Sequence, residues 1–181
     1  MRVITGAARG RRLITPEGLS VRPTTDAVKE SVFSIIQFSI EGRRFLDAFA
    51  GSGQMGIEAL SRGAKYACFV DNSRESVSVI KKNLALTGLS ERAGVFMSDT
   101  LSFMKNTGEA FDTVFLDPPY SKGLLQQALT LAAGITNRGG YIICEHPADE
   151  FMPDYVGDFR LKKTYKYGKI RISVYTQEEA Y

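Results

Sequence analysis

The chain has 181 residues, 44% hydrophobic and 24% charged, which is enough apolar content for one α/β core and too little length for two ordinary domains. Lys and Arg outnumber Asp and Glu by 23 to 20, so the net charge of +3 permits a polyanionic partner without demanding one. No window approaches the about 20 apolar residues of a membrane span, and the first residues lack the apolar core and cleavage pattern of a secretory leader, so a cytoplasmic, membrane-free protein is expected.

In chain order, "VITGAARGRRLITP" (3–16) reads as a small hairpin with glycines in its turn. "TTDAVKESVFSIIQFSI" (24–40) reads as a helix with Val28, Val32, Ile36 and Ile40 on one face. β-rich runs then alternate with helical stretches: strands at 44–50, 66–71, 93–99, 112–118 and 140–146, and helices in "GQMGIEALSRG", "SRESVSVIKKNLALTG", "TLSFMKNTG" and "GLLQQALTLAAGIT". Gly63, Gly88, Gly108 and Gly134 mark expected helix stops. Two more runs, 159–167 and 169–176, meet at Gly168 with no room for a helix, which makes the last strand antiparallel. The expected architecture is a doubly wound, mostly parallel seven-stranded α/β sheet with ligands at the carboxyl ends of its strands. Residues 1–22 form an N-terminal hairpin extension and 23–181 the core of one domain. Cys68 and Cys144 lie inside strand runs and read as buried thiols, and no metal site is expected.

"GSGQMG" (51–56) spells G-x-G-x-x-G, and Asp71 follows about 20 residues beyond Gly51. A strand running into a glycine turn and a helix offers backbone N–H groups and a positive helix end, while Asp71 can accept from both hydroxyls of a ribose. That combination fits a nicotinamide cofactor as literally as any other nucleoside. Asp47, inside the leading strand, would repel a pyrophosphate and attract an α-amino group. Asp99, ending the third strand, can accept from an adenine amine. Together these favour S-adenosylmethionine.

"LDPPY" (116–120) ends the fourth strand. A purine's exocyclic nitrogen is a poor nucleophile because its lone pair is conjugated into the ring. The Asp117 carboxylate and the Pro118 carbonyl, accepting from its N–H groups, favour the pyramidal nitrogen that attacks a methyl group. Pro119 stiffens the turn, and Tyr120 can stack on the base. A base in a duplex could not reach such a pocket, so nucleic acid with an unpaired or flipped base is the expected substrate. Arg2, Arg9, Arg11, Arg12 and Arg22 crowd the first hairpin. Arg160, Lys162, Lys163, Lys166, Lys169 and Arg171 mark the tail beside Tyr165 and Tyr167, a pattern that suits phosphates or an ordinary solvated strand face. From the residues alone, adenine-N6 methylation of DNA or RNA, a nicotinamide oxidoreductase and a catalytically silent RNA-binding protein stand as alternatives. The oxidoreductase leaves "DPPY" without work, and its only histidine, His146, reads as an ordinary strand-end residue.

The blocks "GAARGRRL", "RPTTDAVKESVF", "LDAFAGSGQMGIEALSRGA", "IKKNL", "LDPPY" and "YGKIRISVY" together run the length of the chain, and in them it resembles the RsmD-type small-subunit rRNA guanine-N2 methyltransferases. The resemblance implies a Rossmann-like class I methyltransferase fold and S-adenosylmethionine held by Asp47, Phe49, Ala50, Gly51, Ser52, Gly53, Asp71, Asn72, Asp99 and Thr100. It assigns the methyl acceptor to Asp117, Pro118, Pro119 and Tyr120. The substrate contacts it implies are Arg9, Arg11, Arg12, Arg22, Thr24 and Thr25, with Thr24 or Thr25 also placed to cap the following helix. The substrate it implies is one guanine of 16S rRNA in an assembling small subunit, bound by a monomer. Asp71 stands where the family commonly has Glu, and Tyr120 where it often has Phe.

Overall fold

The computed structural model describes residues 1–17, 24–120 and 123–177. Its helices are α1 (Asp26–Ile35), α2 (Gln54–Ser61), α3 (Arg74–Thr87), α4 (Thr100–Asn106) and α5 (Leu124–Ile135). Its strands are β1 (Arg44–Asp47), β2 (Tyr66–Asp71), β3 (Ala93–Met97), β4 (Phe111–Leu116), β5 (Thr136–Pro147), β6 (Tyr155–Val156), β7 (Phe159–Tyr167) and β8 (Ile170–Gln177).

The strands form one sheet in the order β3-β2-β1-β4-β5-β8-β7-β6. The first five are parallel; β8 runs antiparallel to β5, β7 to β8, and β6 to β7. Strand alternation sorts the core into two layers. Phe45, Ala67, Phe69, Phe115, Ile143, Ile172 and Val174 point toward the apolar faces of α1, α2 and α3. Leu46, Cys68, Val70, Val114, Ile142 and Cys144 point toward α4 and α5. Being buried on both faces is why these strands read as continuous apolar runs. Chain direction across the sheet reverses between β1 and β4, so their carboxyl ends flank the crevice where such folds bind ligands.

Several expectations change in detail. The sheet has eight strands rather than seven, because Tyr155–Val156 pairs with Phe159 and Arg160; a two-residue strand carries no periodicity to read. β1 ends at Asp47, since Ala50 N–H already turns to bond Val70 O and Gly53 N–H bonds back to Ala50 O. Gly134 does not stop α5, which runs through it to Ile135 and passes straight into β5. α1 ends at Ile35, although Ile36 and Ile40 remain buried from the connection that follows. Gly88 does end α3 in the left-handed region, at φ 71°. Gly56 serves close packing, as a Cβ there would lie 2.3 Å from the Phe69 ring.

At the amino end the chain turns back on itself, with an antiparallel bridge from Arg2 to Arg12 and Val3 N–H bonded to Arg11 O, Gly10 N–H to Val3 O and Leu13 N–H to Met1 O across the turn. It is clasped onto α2: the Ile4 and Thr5 N–H groups donate to the Glu58 carboxylate at 2.8 and 3.0 Å, and Ala8 N–H donates to Ser61 Oγ at 3.0 Å. At Gly6 the contact is so close that a Cβ would fall 1.8 Å from Ser61 O. Beneath the loop, Lys29 and Glu58 form a fully buried ion pair at 3.8 Å, with Lys29 Nζ also donating to Arg2 O at 2.6 Å. Burial pushes the Lys29 ammonium below its ordinary pKa, with Glu58 opposing that shift.

Candidate active site

A cleft of about 770 Å³ opens at the carboxyl ends of β1, β2 and β4, and a recess of about 80 Å³ beneath Phe49 adjoins it. The larger volume lies within the range of small-molecule sites.

On one side stand the residues that follow β1 and β2. Gly51 and Gly53 turn the chain with φ of 55° and 79°, and Gly53 caps the start of α2. Gly51 N–H donates to Asp71 Oδ2 and Ser73 N–H to Asp71 Oδ1, both at 2.9 Å, which fixes the Asp71 carboxylate at the cleft wall beside Asn72. Asp47 lies under this turn, buried, with Oδ2 accepting from Gly56 N–H at 3.0 Å. Burial raises its pKa to about 7, with Asp71 adding to the rise and the Gly56 N–H opposing it. A buried carboxylate with so little compensation is chemically suited to a cation arriving through the recess it lines. At the far end Asp99 caps α4, accepting from Ser102 N–H at 2.8 Å, and Thr100 Oγ1 donates to Ala48 O at 2.6 Å.

Opposite are Asp117, Pro118, Pro119 and Tyr120, which follow β4 directly and all line the cleft. Burial drives the Asp117 pKa well above the usual carboxylate range, reinforced by Glu145 and then Asp47. Glu145, on β5, lines the same cleft, is 6% exposed, and accepts from Thr24 Oγ1 at 3.2 Å. Burial raises its pKa too, while the Thr24 hydroxyl lowers it. Thr24 is held in turn by Gln54 Nε2 on its carbonyl, at 3.3 Å, and Thr25 caps α1 by accepting from Val28 N–H at 3.3 Å. The turn between β7 and β8 closes the remaining wall with Tyr167, Gly168 and Lys169, and the Tyr167 hydroxyl bonds Ser31 on α1.

Most of the residues anticipated from sequence thus converge. Phe49, Gly51, Asp71, Asn72, Asp99, Thr100, Thr24 and Thr25 line the main cleft with the Asp117–Tyr120 turn, and Asp47, Ala50 and Ser52 line the recess. Gly53 shapes the turn behind them. Arg9, Arg11 and Arg12 are exposed on the N-terminal loop and do not line the cleft, and Arg22 lies outside the described residues. Sequence reasoning missed Glu145 and Gln54, and it noted Tyr167 only as part of the tail cluster. For Glu145 a signal existed: a parallel neighbour of the "LDPPY" strand must place some residue beside Asp117. His146 is buried, bonded through Nε2 to Ser173 Oγ and through Nδ1 to Pro147 O, both at 2.8 Å, and stands apart from the cleft. Cys68 and Cys144 are free and buried, the Cys68 thiol pushed up to about 12, and no metal-holding cluster occurs among the described residues.

A family model described as "Conserved hypothetical protein 95" matches residues 1–176. YlbH of Bacillus subtilis is 40% identical over 97% of this chain and 98% of its own length. Ribosomal RNA small subunit methyltransferase D of Escherichia coli is 34% identical over 98% of this chain and 90% of its own. The solved structure of the Escherichia coli protein yhhF superposes with a TM-score of 0.89 at 34% identity, covering 99% of both chains.

Proposed function

The chain belongs to the family described as Conserved hypothetical protein 95, and on that premise we propose that it transfers a methyl group from S-adenosylmethionine to the exocyclic N2 of a guanine in small-subunit (16S) rRNA. One observation carries the reading: the Asp117–Tyr120 turn opens into the same cleft as Asp71 and Asp99, with the buried Asp47 in the adjoining recess. The residues fit the donor. Asp47 takes the α-amino group, the backbone at Gly51 and Ser52 frames the amino-acid part, Asp71 accepts from the ribose hydroxyls, and Asp99 accepts from the adenine amine. When bound, S-adenosylmethionine supplies an electrophilic methyl carbon on a cationic sulfur.

The chain's own residues do the rest by positioning. Asp117 and the Pro118 carbonyl accept from the two N–H groups of N2 and turn its lone pair out of the ring plane. Tyr120 stacks on the base. The proton that N2 gives up passes to Asp117, whose pKa, raised by burial and by Glu145, makes it a better proton acceptor than an ordinary carboxylate. Arg9, Arg11, Arg12, Arg22 and the tail cations contact RNA phosphates, and the protein acts as a cytoplasmic monomer on an assembling subunit. No helix among the described residues is long and apolar enough to cross a membrane.

Small subunits from cells lacking the protein, incubated with it and labelled S-adenosylmethionine, should yield N2-methylguanine on nucleoside analysis. N6-methyladenine as the product would sink the guanine assignment, and saturable binding of NAD without binding of S-adenosylhomocysteine would sink the methyltransferase.

The Asp47 pKa gives a second expectation. An ammonium group binds the ionised carboxylate, and with a pKa of about 7 that form predominates at pH 8 and is scarce at pH 6. Calorimetry should therefore find S-adenosylhomocysteine bound about tenfold more weakly at pH 6 than at pH 8. Asp47→Asn should flatten that dependence.

A further inference from the structure

We infer that Glu145 is the second purine-recognition group of this site: it accepts from N1–H of guanine while Asp117 accepts from the N2 amine, and the pairing makes the site reject adenine. The inference rests on the methyltransferase reading above and adds a residue and a discrimination to it.

The register of the sheet puts the two carboxylates side by side. β4 and β5 are parallel and pair Leu116 with Cys144, so Asp117 and Glu145 are the next residues on strands about 4.8 Å apart. Leu116 and Cys144 both point into the α4–α5 layer. Alternation then directs Asp117 and Glu145 to the opposite face, toward Thr24, and both line the cleft.

Glu145 is also a built group rather than a stray strand-end acid. Thr24 Oγ1 donates to its Oε2, Gln54 Nε2 holds the Thr24 carbonyl, and Lys29 Nζ reaches Gln54 Oε1 at 3.5 Å. This chain of contacts runs from the buried ion pair under the N-terminal loop to the cleft. It orients Oε2 and leaves Oε1 to face what enters. A carboxylate 6% exposed with one hydroxyl partner is costly to maintain unless a ligand brings it a further N–H.

Base chemistry then selects. Guanine presents N1–H and N2–H as adjacent donors, which two neighbouring acceptors satisfy together. Adenine presents its amine beside the lone pair of N1, and that lone pair would be forced against Glu145. The Asp117–Tyr120 turn alone suits either amine, so the choice between bases lies with its neighbour.

The test uses Glu145→Gln and small subunits reconstituted with rRNA carrying either guanine or 2-aminopurine at the mapped acceptor. 2-Aminopurine keeps the N2 amine and replaces N1–H by a lone pair. The wild type should methylate guanine about ten- to a hundredfold faster than 2-aminopurine. Glu145→Gln, whose amide can donate to that lone pair, should lose about tenfold or more on guanine and shrink or invert the ratio. S-adenosylhomocysteine affinity and melting temperature report whether the variant is folded; should it misfold, Thr24→Val, which frees Oε2, should shift the same ratio in a folded protein. Equal losses on both bases, or an unchanged ratio in both folded variants, would overturn the role of Glu145 and leave the methyltransferase standing. Methyladenine from the wild type would overturn the guanine reading itself.

Discussion

Asp117→Ala should lower methyl transfer by about 10²- to 10⁴-fold while S-adenosylhomocysteine affinity stays within about threefold of the wild-type value. The carboxylate sits on the acceptor side of the cleft, across from Asp71 and Asp99, so its loss removes an interaction with the reacting nitrogen and leaves the nucleoside contacts in place. Asp117→Asn separates two parts of that role, because the amide oxygen still accepts from N2–H but takes up a proton poorly. A misfolded variant can be distinguished by stability, since both substitutions should leave the protein at least as stable. Burial, then Glu145 and Asp47, raise the Asp117 pKa in the folded chain above its unfolded value. The folded state therefore binds the proton more tightly, and stability falls as pH rises through the window between the two values. Removing the carboxyl removes that loss, so denaturant midpoints should show the Asn variant gaining stability as pH rises above about 4 and gaining nothing well below it. Turnover unchanged in either variant would count against Asp117 as the acceptor-side base.

Glu58→Ala should cost about 3–5 kcal/mol of stability, the scale set by stranding one member of a buried ion pair. For a chain of this length that corresponds to a fall of about 10 °C in melting temperature. The carboxylate accepts from Ile4 N–H, Thr5 N–H and Arg62 Nε and pairs with Lys29, so its loss strands an ammonium group that has no exposure at all. Lys29→Met combined with Glu58→Leu should recover part of the loss, because the ammonium is no longer stranded while Ile4 N–H, Thr5 N–H and Arg62 Nε still lack their acceptor. Thermal melts of the three proteins check both statements, and equal melting temperatures for wild type and Glu58→Ala would show that the clasp contributes nothing. The single variant should also loosen residues 4 and 5 toward proteases, while the Ser61 contacts and the two hydrogen bonds of Asn83 to Ile14 still hold the rest of the loop.

Much of the site was readable because its groups follow strands at motif spacing. "DAFAGSG", Asp71, Asp99 and "DPPY" each stand where a strand gives way to a turn, and strand ends are what alternation of apolar and helical runs locates well. Glu145 escaped notice because its partner Thr24 is 121 residues away and its neighbour Asp117 belongs to another strand. Local periodicity says nothing about which strands lie side by side. Lys29 was hidden for a related reason: it shares a turn of α1 with Val28, and the partners that make its burial tolerable, Glu58, the Arg2 carbonyl and Gln54, all lie far away in sequence. The arginines of the first loop were legible only as a cluster: the clasp onto α2 turns Arg9, Arg11 and Arg12 to solvent, where phosphates could be met, but no local pattern says which way the loop faces.

The place of β8 in the sheet has a consequence for biosynthesis. Its residues, Ile170–Gln177, insert between β5 and β7, so β5 keeps an open hydrogen-bonding edge until they have been translated and have left the exit tunnel. That edge carries Tyr141, Ile142, Ile143 and Cys144 in succession, a segment prone to pair with other chains. The last strand thus both shields the adhesive edge and helps bring Lys169 and Ile170 to the cleft. Covering the edge of β5 and closing the wall of the cleft are one and the same docking event.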